Sequence, residues 1–115
     1  MIRKHLPYAS ASAAGDYMQV LFEEEPDGEG MDYVLLQRQF EFPDGGHSYV
    51  ESLDVALCGH YRVASLVLTR RTVRVEIPSS EWRGIEVTFD VSDGVYEEIA
   101  EALTKMYGRR LAITE

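Results

Sequence analysis

Apolar side chains recur at every second position through much of this chain, the period of a strand with one buried face. The longest such run spans residues 33–42. Val34, Leu36, Phe40 and Phe42 fall on one face, and Tyr33, Leu35, Gln37, Gln39 and Glu41 on the other. Arg38 interrupts the apolar face, which predicts a place near a sheet margin with its stem buried and its guanidinium reaching water or a carboxylate. A shorter run at residues 16–25, with Tyr17, Val20, Leu21 and Phe22, predicts the strand before it. Pro43-Asp44-Gly45-Gly46 is a turn signal and residues 47–54 resume an extended pattern, so residues 33–53 predict a hairpin. Residues 63–68 and 72–77 predict a second hairpin, with Val73, Val75 and Ile77 inward and Arg74 and Glu76 outward. Residues 85–91 add a strand whose buried side carries Ile85, Val87, Phe89 and Val91.

The period then changes. Val95, Ile99, Ala102, Leu103 and Met106 recur at intervals of three and four, the apolar stripe of a helix. Ser92 or Asp93 can cap its start, and Lys105, Gly108, Arg109 and Arg110 suit its end. The expected fold class is α+β: a mainly antiparallel sheet of about six strands with the C-terminal helix packed on one face. Residues 1–115 are expected to form a single domain. Residues 1–15 show no clear periodicity and predict a flexible or loosely packed lead-in pinned by Leu6 and Tyr8. Residues 55–61 fit a bulge, a turn or a strand end equally well.

Charge changes the picture more than composition does. Twenty acidic against eleven basic residues give a formal charge of -9, which repels phosphate backbones and anionic lipid and attracts basic protein surfaces. Nucleic acid and membrane are therefore not expected as partners. The same charge also serves solubility alone. One cysteine, Cys58, forms no intramolecular disulfide, no apolar run has signal-peptide or bilayer-spanning length, and a cytoplasmic location is expected.

Reactive chemistry is sparse. Of His5, His47, Cys58 and His60 only Cys58-Gly59-His60 clusters, too few ligands for zinc, so no metal and no cofactor are expected. Glu76 and Glu86 would project from neighbouring strands as a carboxylate pair, but Arg74 between them makes solvated charge the simpler reading. Ser79 and Ser80 lack a nucleophile frame, and Asp27-Gly28-Glu29 lacks the spacing of a calcium loop. No catalytic residue is assigned.

The acidic stretch ahead of the long strand stands apart. Glu23, Glu24, Glu25, Asp27, Glu29 and Asp32 place six carboxylates within ten residues around the turn formers Pro26, Gly28 and Gly30. Two readings remain open: a solvated connection between strands, or an electrostatic docking surface for a basic partner, extended by Glu51 or Asp54 and anchored by Tyr33 and Trp82.

The Glu-Glu-Pro-Asp-Gly-Glu-Gly turn, the Tyr-Val-Leu-Leu-Gln-Arg strand at residues 33–38 and Tyr49-Val50-Glu51 together resemble the bacterial immunity protein 10 family. The likeness runs through residues 63–77 and the closing strand and helix, covering residues 16–106. Cys58-Gly59-His60-Tyr61 departs from the Tyr-Gly-Gly-like turn expected there. The resemblance implies a non-enzymatic cytoplasmic inhibitor that neutralises the toxin of a polymorphic toxin system, a basic protein, in the cell that makes both. It leaves the oligomeric state open. The rival expectation is a small ligand-binding domain or hydrolase with a pocket against the sheet.

Overall fold

The computed structural model describes residues 1–26, 30–40 and 46–114. The described residues form ten strands and one α-helix: β1 (Ile2–His5), β2 (Tyr8–Ala14), β3 (Tyr17–Glu23), β4 (Tyr33–Gln39), β5 (His47–Ser52), β6 (Gly59–Arg62), β7 (Ser65–Leu68), β8 (Thr72–Glu76), β9 (Gly84–Thr88), α1 (Asp93–Tyr107) and β10 (Leu111–Ile113). Period-two patterning therefore produced more strands than the six expected. They do not make one sheet. The first sheet runs β1-β9-β8-β7-β10 and the second β2-β3-β4-β5-β6, five strands each.

The second sheet is an antiparallel meander whose alternation sorts its side chains. Val20 pairs across to Leu36 and on to Val50, and Phe22 to Val34, all turned inward and at most 1% exposed. In the first sheet, β7, β8 and β9 form another meander that turns Leu66, Leu68, Val73, Val75, Ile85 and Val87 inward. The two inner faces and α1 share one core, in which Phe22 stacks on Phe89 with ring centroids 5.6 Å apart. Two sheets result because each buries one face only, and the opposed apolar faces complete each other.

The expected loose lead-in is instead two strands. β1 pairs in parallel with β9, and β2 pairs antiparallel with β3 over its whole length. Its Ala-Ser alternation is a strand pattern made of small residues, with Ala9 and Ala11 turned to the core and Ser10 and Ser12 to solvent. Leu6, 1% exposed, is the hinge between them, and its amide bonds the Thr88 carbonyl at 2.9 Å. Parallel pairing of both terminal strands was also absent from the expected sheet; β10 lies beside β7.

The predicted helix forms with Ser92 as its cap, the Oγ accepting the Val95 amide at 3.3 Å. Asp93 instead accepts Arg70 Nη2 at 2.8 Å, and Arg70 also donates to the Val91 carbonyl, so the β7–β8 turn clamps the helix start. Ile99, Ala102, Leu103 and Met106 are buried, and α1 packs on β2 and β3 and touches β10. Arg38, half-buried and one residue from the end of β4, has a partner that the strand pattern did not indicate. It donates to the Met106 carbonyl at the helix C-terminus, where a cation complements the exposed carbonyls, and lies 5.9 Å from the centre of the Tyr107 ring.

Phe40 lies past the end of β4 and is 49% exposed, not part of the apolar face; Glu41, Phe42 and the Pro43 to Gly45 portion of the predicted turn fall outside the described residues. The ambiguous stretch resolves into a 3-10 turn, Val55–Leu57, running into β6, with the Asp54 carboxylate accepting the Ala56 amide at 3.0 Å. No described helix is long and apolar enough to cross a membrane.

Candidate functional site

The outward face of the second sheet carries the side chains that alternation leaves over. Glu23 stands opposite Tyr33, Leu21 opposite Leu35, and Leu35 opposite Glu51, so acidic, aromatic and aliphatic groups lie side by side on β3, β4 and β5. A half-open hollow of about 240 Å³ lies over them, with Leu21, Leu35 and Met31 among its apolar lining and Glu23, Glu25 and Glu51 among its carboxylates. No basic residue lines it among those described.

Glu51 is the best-held group in the hollow. Tyr33 Oη donates to its Oε2 at 2.8 Å and Tyr49 Oη to its Oε1 at 2.7 Å, one phenol to each oxygen. The carboxylate is thereby fixed in orientation while keeping outward lone pairs for a further donor. The phenols register the arrangement. Burial, then the hydrogen bond to Glu51 and its charge, push Tyr33 up to about 12, and the bond to Glu51 raises Tyr49 above its ordinary value. Beyond Tyr49, its ring leans on His60 at 5.2 Å.

The expected docking residues divide. Glu23, Glu25 and Tyr33 meet at the hollow, and Glu24 is exposed beside it. Asp27 and Glu29 lie outside the described residues. Asp32 lines the hollow but serves the fold: its carboxylate takes Lys4 Nζ at 2.6 Å and the Tyr33 amide at 2.9 Å, and its own amide bonds Glu24 Oε2 at 3.1 Å. The base of the acidic turn is thus tied to β1. Trp82 is not brought to the hollow. It packs edge-on against Tyr61 at 5.3 Å, and Tyr61 stands opposite the buried Ser48, on the core side of the sheet. Asp54 is occupied at its 3-10 turn.

Tyr49, Leu21, Leu35 and Met31 belong to the face but were not assigned to it from residue patterns. The signal was present in the outward half of each alternation, which is easily passed over when the inward half is read for core.

Four acids away from the hollow carry a counter-ion. Arg74 pairs with Glu76 at 2.8 Å, Arg3 with Glu86 at 3.9 Å, Arg70 with Asp93 at 2.8 Å and Lys105 with Glu101 at 3.1 Å. Among the described residues Glu23, Glu25 and Glu51 have no basic partner, a property they share with acids elsewhere such as Glu97 and Glu98; what sets the hollow apart is that three such carboxylates meet over apolar side chains. Cys58 Sγ is engaged with the Ser52 backbone at 3.4 Å, and no group of three His, Cys, Asp or Glu side chains among the described residues is placed to hold a metal ion. The chain matches no family model, no curated protein and no solved structure.

Proposed function

We propose that this chain is an immunity-type inhibitor that binds a basic protein toxin in the cytoplasm of the bacterium producing both, using the outward face of its second sheet. One observation supports this above others: the hollow joins unpaired carboxylates to an apolar and aromatic floor. Interfaces with strong anchors have that composition, a desolvated aromatic centre with charge arranged around it. A partner lysine or arginine laid into the hollow would rest its stem on Leu21 and Leu35 and bring its charge to Glu23, Glu25 and Glu51. The chemistry is recognition and needs no reacting group.

The rival reading, a small-molecule site, also draws on this hollow. Its roughly 240 Å³ falls below the range of about 300–1,000 Å³ usual for such sites. That favours a surface anchor over an enclosed ligand.

The reading expects a toxin with a variable C-terminal domain to be encoded beside this chain, and the test is association with that domain. Glu23→Lys with Glu25→Lys should slow association by about tenfold or more at low ionic strength, with a smaller difference as salt rises, and leave the circular dichroism unchanged. Equal association rates for the variant and the parent would remove the acidic face from the interface.

A further inference from the structure

Four strands lie at sheet margins among the described residues, and three are blunted against stray pairing. β1 has four residues, three of them Arg3, Lys4 and His5; β6 has four, including His60 and Arg62; β10 has three. Short, charged edges resist the addition of another strand. β2 has neither protection. It is seven residues long, Tyr-Ala-Ser-Ala-Ser-Ala-Ala, with no charge and no proline, and it keeps one-to-one register with β3 from Tyr8↔Glu23 to Ala14↔Tyr17 without a bulge.

An antiparallel edge strand uses half its amides and carbonyls toward its neighbour and turns the other half away. No described residue outside β3 makes a backbone hydrogen bond to Tyr8–Ala14. The core also thins at this margin: Ala9 and Ala11 are half-buried, whereas Phe22 and Val20 opposite them are fully buried. Between the strand and α1 lies a groove of about 180 Å³, floored by Ala11, Ala13 and Ala102 and walled by Glu98 and by Glu101, whose charge Lys105 balances at 3.1 Å. An unpaired edge flanked by a helix supplies what an added strand requires, main-chain partners and space for alternate side chains.

We propose that β2 receives an extended segment of a basic protein partner as a sixth strand of the second sheet. Charge selects the occupant. Glu98 has no cation of its own among the described residues, and a lysine or arginine on the added strand would face it across the groove. A second copy of this chain would bring another formal charge of -9 and another uncompensated Glu98 to the same place. The edge shares no residue with the hollow on the sheet face, so either surface can fail without the other.

The experiment uses the isotopically labelled full chain and a short capped peptide alternating valine and lysine. Expected are amide shift changes confined to Tyr8–Ala14 and the Glu98 turn of α1, with slowed exchange of the outward β2 amides. Methylating alternate peptide nitrogens, or Glu98→Lys in the protein, should weaken binding by about tenfold or more, while Glu51→Gln should leave it unchanged. Absence of shifts at low millimolar peptide overturns the proposal. So do shifts centred on Glu51, indifference to N-methylation, or a dimer in sedimentation with β2 already protected.

Discussion

The two phenols on Glu51 allow the candidate face to be tested without any partner. Tyr33 Oη and Glu51 Oε2 are 2.8 Å apart, a charge-assisted bond of a kind that contributes about 1.5–3 kcal/mol when water is excluded. Water reaches this pair, so the expected coupling is discounted to about 1 kcal/mol. Tyr33→Phe, Glu51→Ala and the double variant, unfolded in urea, should show that coupling, because each single change already removes the shared bond. In a chain of 115 residues this corresponds to about 4 °C in Tm. Alkaline titration gives a second readout. Tyr33 is pushed up to about 12, first by burial and then by the bond and charge of Glu51. A phenol whose folded value lies above its unfolded value of about 10 contributes stability that is present below pH 10 and lost as pH rises through 12. Glu51→Gln removes the charge but not the burial, so Tyr33 should titrate lower than in the parent yet still late. Tyr49, raised mainly by its bond to Glu51, should fall back more completely. Zero coupling together with an unchanged tyrosinate titration would refute a carboxylate held by two phenols.

Three further changes test the frame that presents this face. A Cβ added at Gly84, where φ is 152°, would lie 2.1 Å from the Val75 carbonyl oxygen, so Gly84→Ala should cost about 3 kcal/mol or more by urea unfolding; a loss below about 1 kcal/mol would contradict the β8–β9 register. Arg38→Met keeps the stem but takes the guanidinium from the Met106 carbonyl and the Tyr107 ring, with an expected loss of about 1–2 kcal/mol and faster amide exchange in the last turn of α1. Ser92→Ala should cost about 1 kcal/mol in thermal unfolding through loss of the Val95 cap.

Strongly apolar alternation was legible. The strands holding Val20 and Phe22, Val34 and Leu36, Val73 and Val75, and Ile85 and Val87 follow from the residues alone, as does the stripe from Ile99 to Met106. What was not legible depended on contacts between distant segments. The Ala-Ser strand β2 carries little apolar area, so its pattern acquires meaning only when Ala9 and Ala11 meet Phe22 and Val20. β1 and β10 are too short for a period, and they are ordered by parallel pairing with β9 and β7. Likewise the Met106 carbonyl that Arg38 meets lies 68 positions away and has no trace in the strand pattern.

The acidic stretch from Glu23 to Asp32 was the strongest polar signal in the chain, and the fold divides it by role. Asp32 closes the base of the turn against Lys4, whereas Glu23 and Glu25 join Glu51 from a different strand. Sequence density of charge is therefore a poor guide to where charge acts, since a carboxylate already facing a cation at 2.6 Å has little field to offer a partner. If the proposed docking holds, the carboxylates that matter are those that the fold leaves without counter-ions on an otherwise apolar floor. Glu51 is the decisive case: it lies outside the dense acidic run, yet strand pairing places it opposite Leu35 and beside the hollow's other acids. If partner association depends on Glu51 and Glu25 but not on Asp32, recognition follows the sheet face; the reverse dependence would return it to the turn.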